Sequence, residues 1–211
     1  MWRMMYHFAA SEWFSARLIS LRVLYFSCRP GRSSLLISLT IMSGLINRSL
    51  IRTFEYAKQP QLYVHELTKD LTKISFSKDP STLGVGTLKG LAIPSGRESQ
   101  LLISTKNFIP NPEFLWFLQD LFHKKVYGDV TYQLDALNFR SSYLPIGDFK
   151  VILQYMNQRP EYENTLGFVL VDEDGAMVED SYQPNEIYEL CNSDGIVTLS
   201  EYMLDELRNA L

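Results

Sequence analysis

The segment from Asn111 to Gly128 constrains the fold of this chain more than any other. Asn111 is an N-cap residue, and Pro112 follows at the first helical position, where a missing N–H costs nothing. Glu113 meets the positive end of the helix, while His123, Lys124 and Lys125 fall in the last turn, where positive charge suits the dipole. The helix runs from Phe114 to about Tyr127 and stops at Gly128. Phe114, Leu115, Phe117, Leu118, Leu121 and Phe122 give it a wide apolar face, and Trp116 widens that face further. A helix apolar over most of its girth belongs at the centre of a fold.

Around this helix the apolar runs are short. Leu62 to His65 reads as a strand after Pro60, and Ile74 and Phe76 alternate with polar residues as a half-buried strand does. Lys78-Asp79-Pro80 marks a turn, and Leu83 to Gly96 reads as a loop or surface excursion because it holds four Gly and one Pro. Leu101 to Ile103 predicts another strand. Asp129 caps a second helix on which Val130, Leu134 and Leu137 share a face. Asp148 to Met156 suits either strand or helix. Gly167 to Val171 is a strand, Asp174-Gly175 a tight-turn signal and Ala176 to Val178 its return. Ile187 to Cys191, Asp194-Gly195 and Ile196 to Leu199 repeat that arrangement. Ser200, or Thr198 with Glu201, caps a last helix that buries Met203, Leu204, Leu207 and Leu211. These signals predict one α+β domain over residues 50–211. It has short, mostly antiparallel strands, two central helices, a C-terminal β-meander and a closing helix.

Residues 1–49 are set apart from that domain. Residues 1–54 carry seven Arg, no Lys and one acidic residue, for a charge of +6, whereas residues 55–211 carry −10. An Arg-rich, Ser-rich, acid-poor start is the composition of a mitochondrial targeting segment. Trp13, Phe14, Leu18, Leu21 and Tyr25 recur at helical spacing with Arg17 and Arg22 off the stripe, the pattern of a cationic amphipathic helix. The competing reading is a spurious extension, with the chain starting at Met42 and the protein then cytoplasmic. Arginine interrupts every apolar run before residue 33, which reads against a secretory signal. The longest charge-free stretch, Ser33 to Asn47, has 15 residues, short of the roughly 20 that a membrane span needs.

The chemical motifs in the body fail on spacing. Asp172-Glu173-Asp174-Gly175 suggests a calcium loop, but the Gly comes two residues early, so a solvated hairpin tip explains the acids better. The glycines at 84, 86 and 90 lack the following helix that a phosphate-binding loop requires. His65-Glu66 begins like a zinc-protease helix, yet position 69 is Lys. No Gly-x-Ser-x-Gly elbow is present, and Cys191 has no adjacent base to activate it. The acidic residues between Glu161 and Asp180 flank turns and Pro, which makes them solvated loops rather than a catalytic pair. The charge of the body reads against nucleic acid, and its Tyr and Phe content suits a core lining or a protein-binding patch.

The strings NFIPNPEFL at 107–115, LGFVLV at 166–171, SYQPN at 181–185 and SDG at 193–195, with the helix after Leu199-Ser200, resemble a conserved family of small fungal proteins of uncharacterised role. The resemblance covers residues 50–211 and implies one domain, without an activity or site residues. Relatives carry a Pro-rich loop with an Arg ahead of the Gly167 strand; here Tyr155 to Glu161, with Arg159 and Pro160, stands in that place with fewer prolines. The resulting expectation is a non-catalytic protein-interaction or assembly factor, with a protein partner, no cofactor, no metal and no transmembrane segment. The alternative is an enzyme or small-ligand binder whose pocket would gather His123, Tyr143, Arg159 and Tyr182.

Overall fold

The chain divides into two units, Met1–Ser43 and Gly44–Leu211. A computed structural model describes residues 51–89, 96, 98–151 and 159–211, all in the second. Five short strands lead to the first helix: β1 (Arg52–Glu55), β2 (Tyr63–Glu66), β3 (Leu71–Ser75), β4 (Gly86–Lys89) and β5 (Phe108–Pro110). They pair antiparallel in sequence order. Alternation sets the register: Val64 pairs with Ile74, and both are fully buried.

Two sequence expectations change here. Part of the stretch read as a glycine loop is strand β4, since a Cβ on Gly86 would stand 2.4 Å from the Ile109 carbonyl oxygen. The glycine permits close approach to β5 rather than flexibility. Leu101 to Ile103 is not a strand. Leu101 and Ile103 are buried nonetheless, and the Ile103 N–H donates to the Tyr56 hydroxyl at 3.2 Å in place of a neighbouring strand.

Helix α1 (Pro112–Lys125) has the cap the sequence calls for: Asn111 Oδ1 accepts from Glu113 N–H at 3.1 Å. It continues into a single 3-10 turn, Val126–Gly128. Phe114, Leu118, Leu121 and Phe122 are buried. Phe114 stacks on Phe76, just past β3, with ring centroids 5.9 Å apart. The helix also packs on α3 (Glu201–Ala210), the closing helix. Trp116 departs from the expected face, being 77% exposed.

The second sheet is β6 (Tyr143–Gly147), β7 (Thr165–Leu170) and β8 (Gln183–Pro184), antiparallel in that order. It departs from the expected meander, since β6 and β8 take the places beside β7 and the last hairpin forms a two-stranded sheet of its own. Asp174-Gly175 makes its turn, with Gly175 at φ +91°, but the return is a single bridge, Val171 to Met177. Ile187 lies in a turn rather than a strand. The last hairpin is the short pair β9 (Cys191–Asn192) and β10 (Gly195–Ile196), turning at Ser193-Asp194, one residue earlier than the Asp-Gly signal. Residues 148–151 are not strand or helix, and 152–158 lie outside the described residues.

Ser200 caps α3, its hydroxyl accepting from Met203 N–H at 3.1 Å. Met203, Leu204 and Leu207 are buried as expected. Gln59 and Gln61, in the β1–β2 connection, hold the segment before α3: Gln59 Nε2 donates to Val197 O at 2.7 Å and Gln61 Nε2 to Leu199 O at 2.8 Å. One buried core joins both sheets, α1 and α3. No helix among the described residues is long and apolar enough to cross a membrane.

Phe114→Ala should therefore lower unfolding free energy by about 3–5 kcal/mol in urea titration, while Trp116→Ala stays within about 0.5 kcal/mol of the parent. Equal losses at both positions would contradict the orientation of α1.

Candidate protein-docking surface

Helix α2 (Val130–Ala136) follows α1 after the 3-10 turn. Asp129 caps it, accepting from Thr131 N–H at 2.9 Å, and also accepts from the Ser200 hydroxyl, so the caps of α2 and α3 are tied together. The rotation of α2 is set by Tyr132. Its ring is buried between Phe122 and Phe149, with centroids 6.4 and 6.0 Å away, and its hydroxyl donates to Gly147 O at 2.7 Å. Ala136, one turn on, is buried with it.

That rotation turns the apolar face noted in the sequence to solvent. Val130 is 63% exposed, Leu134 61% and Leu137, the C-cap residue, 49%. A large aromatic with a satisfied hydroxyl outcompetes aliphatic side chains for the buried side. Scattered exposed aliphatics are normal in proteins. Three in i, i+4, i+7 register on one short helix make a contiguous stripe, the anchor spacing of a helix that docks on a partner.

The β7 turn lies against this stripe. A Cβ on Gly175 would stand 3.1 Å from Leu137 Cδ2 and 3.4 Å from Arg140 Nε. Ser141 N–H donates to Asp172 O at 3.0 Å. Asp172 Oδ1 is used internally, accepting from Asp174 N–H at 3.0 Å and Ala176 N–H at 2.8 Å. Glu173 and Asp174, which precede Gly175 in the same turn, are exposed. Asp135, half-buried on α2, has its pKa raised by burial and then by the Asp129 charge.

Two groups of polar side chains elsewhere in the domain are buried. His65 is fully buried; its Nδ1 lies 2.9 Å from Thr53 Oγ1 and its Nε2 2.7 Å from Ser75 Oγ. The Ser75 hydroxyl donates to Ser77 O at 2.6 Å, so it accepts from Nε2–H, and Nδ1 accepts from Thr53. Ser75 is itself fully buried, so this Ser–His pair is a closed hydrogen-bond chain rather than an exposed nucleophile. Burial lowers the His65 pKa.

Asp148 and Lys150 form a second buried group. Lys150 Nζ lies 3.1 Å from Asp148 Oδ2, both side chains being fully removed from solvent, and donates to Glu189 O at 2.7 Å. The Tyr188 hydroxyl donates to the same carboxylate at 2.9 Å, and Lys150 sits 5.1 Å from the centre of the Tyr188 ring. Burial raises the Asp148 pKa, against the pull of Lys150 and Tyr188.

Clefts open on the surface among the described residues. One of about 700 Å³ runs between the β1–β2 connection, Leu102–Thr105 and the last hairpin, with Lys150 in its wall. One of about 360 Å³ lies between Phe108, Leu115 and Tyr188–Cys191. One of about 510 Å³ is walled by Lys73, Gly84 and Asn111. Lys73 Nζ in the last is held by the carbonyls of Pro80 and Thr82, and burial lowers its pKa. Among the described residues the buried side-chain polar atom without a hydrogen-bond partner is Thr72 Oγ1, which lines none of these clefts. Cys191 is buried and free, its pKa raised by burial. No group of three His, Cys, Asp or Glu among the described residues could hold a metal ion.

The four residues grouped from the sequence fall in different settings. His123 meets the edge of Tyr182, with centroids 6.3 Å apart. Tyr182 is buried, its hydroxyl donating to Gln119 Oε1 at 2.5 Å. Arg159 lies over Phe139 at 5.5 Å, and Tyr143 is exposed at the start of β6. None of the four lines any of the three clefts. No protein-family profile, curated protein or solved structure matches the chain.

Removing one partner of the buried ion pair leaves the other charge stranded. Asp148→Ala should cost about 3–5 kcal/mol in urea unfolding, with Asp148→Ala/Lys150→Met costing less than the single change; a single-variant loss below about 1 kcal/mol would contradict the pairing. His65 contributes a pH dependence. The unfolded chain takes up a proton near pH 6.5, and the folded chain only at lower pH, so stability falls as pH drops below 6.5. Titrating unfolding from pH 7.5 to 5.5 should give a shallower slope in His65→Gln than in the parent.

Proposed function

We propose that the domain is a non-catalytic protein-interaction or assembly factor that works through α2. The observation that carries this reading is the solvent-facing stripe of Val130, Leu134 and Leu137. Fully burying an aliphatic side chain of this kind is worth about 1.5–3 kcal/mol. With these side chains half-exposed, the lone domain forgoes part of that gain, and a partner covering the stripe would recover it. Contiguous exposed apolar surface of this sort is where soluble proteins dock. The basic start of the chain supports import into mitochondria as the setting for that partner.

The test is elution of the tagged full chain from extract of its own cell. It should emerge well above its 24.4 kDa, and Leu134→Asp, a surface change that leaves the melting temperature in place, should shift it to the monomer position. A parent chain that elutes as a monomer, or a complex that survives Leu134→Asp, would contradict the reading.

A further inference from the structure

The charge around the stripe narrows what can sit on it. Glu173 and Asp174 are exposed at the turn whose Gly175 touches Leu137, and Asp135 stands on α2 itself. Two cations stand nearby among the described residues, Arg140 against the same turn and Arg159 over Phe139. The imbalance extends beyond the turn: residues 160–211 hold thirteen acidic residues and one basic, Arg208. An apolar row met at one end by a turn that carries exposed carboxylates attracts a segment that offers apolar anchors and positive flanks, and repels a negative one. A second copy of the domain is a poor match, since residues 55–211 carry −10 and would bring acid against acid.

Resting on the reading of α2 as a docking face, we infer that its occupant is a basic amphipathic helix. Its aliphatic side chains lie across Val130, Leu134 and Leu137, and its Lys or Arg residues reach Glu173 and Asp174. Helix-on-helix docking suits the stripe because i, i+4, i+7 anchors on α2 meet the same spacing on a partner helix. The carboxylates at the turn fix its placement along the stripe and exclude acidic helices by like-charge repulsion.

The experiment uses the full chain and three labelled 18-residue peptides with leucines at i, i+3, i+4 and i+7, whose polar positions are all Lys, all Gln or all Glu. Binding is read by fluorescence anisotropy. The Lys peptide should bind at least tenfold more tightly than the Gln peptide and at least thirtyfold more tightly than the Glu peptide, and should weaken as salt rises from 50 to 500 mM. Glu173→Lys/Asp174→Lys should weaken the Lys peptide at least tenfold, and so should Leu134→Asp. Glu55→Lys/Asp70→Lys, an equal charge reversal at the end of β1 and in the β2–β3 connection, should change it less than twofold. Equal binding of the Lys and Glu peptides overturns the inference, as does equal loss from the two charge reversals or no binding by any peptide. The elution test of Leu134→Asp decides the docking face separately, so a face that survives with a neutral or acidic partner is told apart from no face at all.

Discussion

The fold depends on the burial of one side of α1. Phe114, Leu118, Leu121 and Phe122 are the residues on which the rest converges. Phe114 stacks with Phe76 at the end of β3, Phe122 meets Tyr132 of α2 and Tyr182 before β8, and α3 packs along the same helix. Neither sheet is broad: the strands are at most six residues long, and the second sheet has three. Short strands gain little from each other alone, so the buried side of α1 adds apolar contact that the sheets lack by themselves.

That arrangement decides what faces water. α1 is followed almost directly by α2, and the α2 cap is tied to the α3 cap through Asp129 and Ser200. With both ends of this segment anchored, the rotation of a seven-residue helix has one remaining choice. It is made by Tyr132, whose ring completes the aromatic cluster with Phe122 and Phe149. Val130, Leu134 and Leu137 are left outside as the geometric consequence. The buried polar groups act in the opposite direction. His65 and Asp148–Lys150 are enclosed with their partners, which makes them internal ties between elements rather than reactive surfaces.

What the sequence made legible follows from how local each signal is. The caps at Asn111, Asp129 and Ser200 are read within three residues, and all three stand where expected. Strands β2, β3 and β7 carry alternation or β-branched runs strong enough to show alone. The misplaced elements are those for which distant contacts decide. Gly86 belongs to a strand because Phe108 and Ile109 come close, and Leu101 and Ile103 are apolar because they are buried, not because they are paired. The α2 stripe was visible as a spacing, but its direction required knowing that Tyr132 has a carbonyl at Gly147 to bond. The acids at 172–174 are exposed, as turn residues should be; the approach of their turn to Leu137 through Gly175 is a long-range contact that no local pattern carries.

The central claim is that the exposed face of α2 is covered in the working protein. Hydrogen–deuterium exchange on the complex isolated from its own cell, compared with the free chain, tests it most directly. The account predicts slowed exchange over residues 130–140 and 172–180, with the five-stranded sheet unchanged. Unchanged exchange over α2, with protection instead along the cleft between Lys58 and Asp194, would contradict it.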